Sequence, residues 1–408
     1  MAKDTKFKAT VDRISELPDE LLCHLLSFLP PNFAYTTALL SKRWKPLCKF
    51  MVDLHFDDKL VKGKEDFQCF RRWVDKVMLF PDMNNQPIRA FHLNCCHPEL
   101  LLFNHDQWIE AAKRRGVEDL QLFMFDTYTA FQMYISHSNS LVDSFITVAP
   151  NNIFSCRTLV ILKLERLCVA GNISSVDLPS LKTLHLKSVY LQNSDDLKKL
   201  ISKSLILEDL YIIVGYKETA SIPLTRVDKG PYHVLFKAVY YSVQFLRLEV
   251  RLPNENIISY FKGSSVFRNL IQLELIFAFF YGWDDLMDVL HNCPNLEILL
   301  IDEIIPNYVE NLYRECEWTL KVTNPFTIWK CPNSVPKCIS SRLRSCTLTY
   351  EGMADSLQFA KYVLQNAQLL QVMTVNNRMF AESVHHCEYL DELNSCPKIS
   401  PICKLSIG

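Results

Sequence analysis

The sequence predicts an α/β protein in which three short N-terminal helices precede a curved solenoid with a parallel sheet on its concave face. Three observations lead there. Asp12 to Cys48 packs the start and stop signals of three helices into one short stretch. From Ile88 onward an L-x-x-L-x-L pattern recurs ten times, too often for a chance run of leucines. Hydrophobic residues make up 49% of the 408 residues and charged residues 22%, which suits a globular chain with a large core rather than a disordered one.

Pro18 fits a first helical position, where the missing N–H costs nothing, and Asp19 and Glu20 place negative charge at the positive end of the helix dipole. Leu21, Leu22, Leu25, Leu26 and Leu29 follow at helical spacing, and Pro30 with Pro31 stops the helix after Leu29. A second helical stretch runs from Phe33 to Leu40. Ser41 can cap a third that carries Lys42, Arg43 and Trp44. Three helices of this size cannot bury so much leucine among themselves. Read by residue alone, they serve equally as a cap on the domain that follows or as a docking module.

The order of motifs favours docking. D-x-I-S-x-L-P-D-E-L-L from Asp12, followed by L-S-K-R-W at Leu40 to Trp44, resembles the F-box of plant F-box proteins. The resemblance implies that Leu17, Pro18, Leu22, Leu25, Leu40, Ser41 and Trp44 bind a Skp-type adaptor, which bridges to a cullin ubiquitin ligase. The sequence departs from the family at Phe33, where an acidic residue is usual, and at Cys48, where a second Trp is usual. An apolar anchor missing from an interface costs about 2 kcal/mol where it is a hot spot.

The repeat anchors are Ile88, Phe91, Leu93; Val117, Leu120, Leu122; Leu159, Leu162, Leu164; Leu181, Leu184, Leu186; Leu207, Leu210, Ile212; Val243, Leu246, Leu248; Leu270, Leu273, Leu275; Leu296, Leu299, Ile301; Leu343, Cys346, Leu348; and Leu370, Met373, Val375. Most starts follow the last by about 20–29 residues, the leucine-rich-repeat range, and the longer gaps hold insertions. In L-x-L, alternate side chains of a short strand enter the core and those between face out, so each repeat buries its leucines only against a neighbour. Ser194 to Ser202 reads as a helix between strands, with Asp195 and Asp196 ahead of Leu197, Leu200 and Ile201. The whole resembles the divergent leucine-rich repeats that follow the F-box in many plant proteins.

Trp329 to Val375 carries a second signal. W-x-x-P-x-x-V-P-x-C at Trp329, Pro332, Val335, Pro336 and Cys338, then Tyr350 and Gly352, then a helix ending at Asn366 and Ala367, resembles the FBD region of plant F-box proteins. Pro332 and Pro336 predict an extended approach to a strand at Leu343 to Tyr350, and Ala354 to Ala367 predicts an amphipathic helix before a last strand. The expected organisation is a docking module at 9–50, a linker at 51–86, repeats at 87–325, and an FBD region at 326–408 that closes the solenoid.

The remaining observations narrow the function. A net charge of −1 gives no footprint for a phosphate backbone, and no run of about twenty apolar residues predicts a membrane helix. The N-terminus lacks the apolar stretch of a secretion signal, so a nuclear or cytoplasmic protein is expected. Fifteen cysteines without a C-x-x-C pair read as reduced thiols, and His385, His386, Cys387, Cys396 and Cys403 lack zinc-ligand spacing. Neither a metal nor a cofactor is expected. Glycine-rich phosphate loops, H-E-x-x-H and G-x-S-x-G are absent, so any ligase activity belongs to partners.

Recognition then falls to the outward positions between the strand leucines. Lys163, His185, Tyr211, Arg247, Glu274 and Leu300 are the candidate contacts for an unknown protein substrate. Lys163, His185 and Arg247 favour an acidic target at one end, and Ile298 with Leu300 offers an apolar patch further along. The chain therefore reads as the substrate receptor of a Skp–cullin–F-box ubiquitin ligase. A scaffold or decoy outside a ligase is the alternative, and an enzyme hidden in the repeats a third reading.

Overall fold

The structure is a computed structural model, and it describes residues 14, 16–27, 37, 43–47, 52–79, 87–95, 106–124, 148–149, 151–169, 173, 175–187, 189–191, 194–214, 241–250, 266–277, 283–303, 329–350, 354–377 and 392–407. The chain divides into two units, Met1–Tyr128 and Thr129–Gly408.

In the first unit, helix α1 (Asp19–Ser27) begins directly after Pro18. The Pro18 carbonyl accepts from the N–H groups of Leu21 and Leu22, both at 3.1 Å, so the proline opens the first turn without losing a needed donor. The short helix α2 (Trp44–Leu47) packs Trp44 and Leu47 against Leu22 and Leu26, with Leu17 and Cys23 partly covered at the edge of this core. The helix expected over Phe33 to Leu40 lies outside the described residues except for Thr37, as does Ser41.

Strand β1 (Asp53–Asp57), helix α3 (Lys64–Leu79), strand β2 (Ala90–Cys95), helix α4 (Asp106–Arg114) and strand β3 (Asp119–Met124) follow. The three strands lie parallel, with Leu54 opposite Phe91 and Phe91 opposite Leu120. Residues 51–86, expected to be a linker, therefore contain a strand and a helix of the repeat kind. The cause is visible in retrospect: Met51-x-x-Leu54-x-Phe56 has the repeat spacing, with phenylalanine as its last anchor, and Leu54 and Phe56 are both buried. Helix α3 buries Phe67, Phe70, Val74, Val77 and Met78 along one face.

Helix α4 is bound to α3 by a hydrogen bond from Trp108 Nε1 to Asp75 Oδ1 at 2.8 Å. Gly116 ends α4 with φ 76, a left-handed cap that glycine adopts without strain. Replacing Asp75 with alanine removes a charge-assisted bond to a buried indole and is expected to cost the first unit about 1–3 kcal/mol. Urea denaturation measures that loss. A true linker would show almost none.

In the second unit, the long sheet contains β5 (Ile161–Glu165), β7 (Thr183–Lys187), β9 (Asp209–Val214), β10 (Phe245–Val250), β11 (Gln272–Phe277), β12 (Ile298–Glu303), β13 (Ser345–Tyr350), β14 (Val372–Asn377) and β15 (Lys404–Ile407). All neighbours pair in parallel, and the central anchors form one row: Leu162, Leu184, Leu210, Leu246, Leu273, Leu299, Cys346, Met373 and Leu405. Every anchor read from the sequence is buried, and the most exposed, Ile301, reaches only 6%. Strand β15 was not anticipated, although Ile402-x-x-Leu405-x-Ile407 keeps the spacing. A small parallel sheet joins β4 (Val148–Ala149), β6 (Cys168–Val169) and β8 (Tyr190–Leu191).

Adjacent repeats are also stitched just ahead of their strands. Backbone N–H groups of Glu208, Gln244, Ile271, Glu297, Arg344, Gln371 and Lys404 each donate to a carbonyl of another repeat at 2.8–2.9 Å. Helices α5 (Ser194–Lys203), α6 (Trp283–His291), α7 (Lys337–Ser341) and α8 (Ala354–Asn366) complete the unit. Helices α5 and α8 match the expected segments. Helix α7 stands where an extended approach to β13 was expected: Pro336 is extended (φ −53, ψ 138) and acts as its N-cap, so the proline starts a helical turn instead.

Candidate protein-interaction surfaces

The two stripes of α1 have different fates. Leu22 and Leu26 lie four residues apart on the inner stripe and are fully buried, while Leu21 and Leu25 form the other stripe and are 50% and 44% exposed. Ile14, just before the helix, is 54% exposed. Of the residues expected to meet an adaptor, Leu22 and Trp44 sit in the core of the module, Leu17 is half-buried, and Pro18 and Leu25 face solvent. Leu22 and Trp44 hold α1 against α2 in this core. Leu40 and Ser41 lie outside the described residues.

Arg43 explains why the two ends of the motif belong together. Its guanidinium donates to Asp19 Oδ1 at 2.9 and 2.6 Å and to the Leu17 carbonyl at 2.5 Å. The pair is solvent-exposed and contributes at most about 1 kcal/mol, so its effect is to fix where α1 starts relative to α2.

On the second unit, Lys163, His185, Tyr211, Arg247, Glu274 and Leu300 stand side by side on successive strands in one register row. The row is partnered internally. His185 Nε2 lies 2.9 Å from Asp209 Oδ2, and the His185 and Tyr211 rings meet edge-on at 5.6 Å. Tyr211 donates its hydroxyl to Glu249 Oε2 at 3.3 Å. Arg247 lies over the Tyr211 ring, 4.5 Å from its centroid, and its Nε is 3.3 Å from Glu274 Oε2, an ion pair without hydrogen-bond alignment. Two of the three groups expected to favour an acidic target, His185 and Arg247, thus already face carboxylates. Asp209 and Glu249 sit two positions along neighbouring strands, where only the register brings them near. Phe245, 41% exposed and missed from the sequence, adds an aromatic side chain beside Asp209 and Gln272.

Trp329, the first residue of the W-x-x-P motif, is a packing residue. It meets Trp283 at 5.5 Å, Phe359 at 5.7 Å and Tyr362 at 5.4 Å between ring centroids, and Trp283 stacks on Phe359 at 4.9 Å. This cluster joins α6 to α8. Burial pushes the thiols of Cys338 and Cys346 up to about 12 and raises that of Cys293 well above its usual range. Such thiols stay protonated and are poor nucleophiles. Among the described residues, no group of three or more His, Cys, Asp or Glu is arranged to hold a metal, and no helix is long and apolar enough to cross a membrane.

Three family models match separate parts of the chain: the F-box domain at residues 14–53, the LRR repeats of FBD-associated F-box protein At5g56370 at 105–227, and FBD at 330–375. The chain carries an F-box, leucine-rich repeats and an FBD region, the make-up of plant F-box/FBD/LRR-repeat proteins. Its relatives in Arabidopsis thaliana include F-box/FBD/LRR-repeat protein At4g00160, 26% identical over 95% of this chain and 90% of that one. FBD-associated F-box protein At4g10400 is 27% identical over 98% of this chain and 100% of its own length. F-box/FBD/LRR-repeat protein At4g26340 is 27% identical over 97% and 99%. The F-box match covers α1, α2 and the start of β1, and the FBD match covers α7, β13, α8 and most of β14. The domain content is that of a protein-interaction module, and nothing in it points to an enzyme.

Proposed function

We propose that this protein is the substrate-recognition subunit of a Skp–cullin–F-box ubiquitin ligase. The F-box would dock a Skp-type adaptor, which bridges to a cullin, and the open face of the repeat sheet would hold a protein substrate. The observation that carries the reading is the exposed stripe of Ile14, Leu21 and Leu25 beside a closed core of Leu22, Leu26, Trp44 and Leu47. A module this small has no internal reason to leave two leucines of one helix in water. Apolar anchors of this kind carry most of the energy of an interface. Ubiquitin transfer would then be catalysed by the rest of the assembly, with this chain supplying proximity.

The test is affinity measurement with a purified Skp-type adaptor. Changing Leu21 and Leu25 together to alanine is expected to weaken binding at least about tenfold while leaving the helical circular dichroism of the chain intact. Unchanged affinity in the double variant, or no binding by the unaltered protein, would overturn the docking assignment. Adaptor captured from cells without any cullin would favour the scaffold reading instead, and Phe33 and Cys48 are the family departures that would motivate it.

A further inference from the structure

We propose that His55 and His92 form a two-imidazole site for a divalent transition-metal ion, with Asp119 as a positioning residue behind His92. Strands β1 and β2 place the two histidines directly opposite each other on the outward face, and Gln121 of β3 stands next in the row. Their Nδ1 atoms are 2.9 Å apart, and the rings meet edge-on with centroids at 4.2 Å. On the far side of the His92 ring, Nε2 lies 3.0 Å from Asp119 Oδ2 in a contact bent away from hydrogen-bond alignment. Gln121 Nε2 donates to the same carboxylate at 3.0 and 3.3 Å and holds it there.

With Nε2 beside the Asp119 carboxylate, the tautomer protonated at Nε2 turns the Nδ1 lone pair of His92 toward His55, and a bound ion would take the place of the Nδ1···Nδ1 hydrogen bond. A ligating histidine backed by a carboxylate is the usual arrangement at protein metal sites. An ion about 2.0–2.1 Å from each nitrogen would subtend about 90° across this gap. That is the cis angle of an octahedral or square-planar ion such as Ni²⁺ or Cu²⁺, and it is too tight for tetrahedral zinc. The site has two protein donors, and because His55 is exposed, water can fill the remaining positions. In the sequence the pair is silent, since His55 and His92 are brought together only by strand pairing. An ion here would tie strand β1 to β2, and a ligand that binds only the folded chain stabilises it.

The test is calorimetric titration of Ni²⁺ into the reduced, tag-free full chain, with the absorption spectrum recorded alongside. The expected result is one equivalent of Ni²⁺ without a thiolate charge-transfer band, abolished in both His55→Gln and His92→Gln. The Asp119→Asn variant should keep the stoichiometry but bind about 10–100-fold more weakly. Ni²⁺ should also raise the melting midpoint of the unaltered chain and not that of either histidine variant, whose metal-free midpoints report that they fold. No Ni²⁺ binding, a thiolate band, or equal binding by all the chains would overturn the site.

Discussion

Replacing Trp283 with alanine is expected to destabilise the second unit by about 3–5 kcal/mol, the range for emptying a buried aromatic site. Trp283 opens α6 and is 4% exposed. Its ring stacks on Phe359 of α8 at an interplanar angle of 26° and meets Trp329 at 84°, so one side chain serves both a repeat helix and the FBD region. The loss has two parts: the apolar surface returned to water, and aromatic pairs worth about 0.5–1.5 kcal/mol each beyond their area. The Trp329 ring cannot slide in to fill the space, because its other contacts, Phe359 and Tyr362, hold it where it is. Hydrogen exchange in α8 and β13 should accelerate together with that in α6. Fast exchange in α6 alone, with α8 unchanged, would show that the FBD region folds apart from the repeats. Adaptor binding is expected to survive, since Trp283 and the F-box belong to different units.

This result bears on what the FBD region is. The W-x-x-P motif reads as a family signature, and its tryptophan, half-buried, packs against α6 and α8. Cys338 of the same motif donates its thiol to the Leu290 carbonyl of α6 at 3.2 Å. Strand β15 then pairs beyond β14, and Ser400 Oγ donates to the Leu370 carbonyl at 2.6 Å. Trp329 and Cys338 of the motif are therefore explained by packing against α6 and α8, whereas Val335 of the same motif is exposed.

The repeat fold was legible because one short-range rule repeats. In each L-x-x-L-x-L the strand leucines must point the same way and need a neighbour to cover them, so each instance predicts both its strand and its partner strand. Strands β1 and β15 keep the same spacing, at Met51, Leu54 and Phe56 and at Ile402, Leu405 and Ile407, and the sequence reading nonetheless lacks them. The interaction surfaces were less legible, for a physical reason. Leu21, Leu22, Leu25 and Leu26 are chemically identical, and it is the packing of α2 on Leu22 and Leu26 that distinguishes one stripe from the other. Likewise, Arg247 reads as a free cation until the register sets it beside Glu274 and over Tyr211. Spacing along one strand gives the direction of a side chain, but its partner is set by which strand lies next to it and at what offset.

The Trp44→Ala variant separates the core of the F-box from its contact face. Among the described residues, the core of the module is Leu22, Leu26, Trp44 and Leu47, and helix α2 spans Trp44–Leu47. Trp44 is 7% exposed and is the largest of the four. Its loss is expected to cost about 3–5 kcal/mol. That is a large share of the 5–15 kcal/mol typical of a whole domain, and small modules sit at the weak end of that range. Exchange protection in α1 should therefore disappear and adaptor binding with it, while the Leu21 and Leu25 double variant loses binding with α1 still protected. Trp44→Phe keeps a ring in the site and should recover most of both properties. If Trp44→Ala abolished adaptor binding with α1 protection intact, Trp44 would be a contact residue after all and its burial in this module would have to open when the adaptor binds.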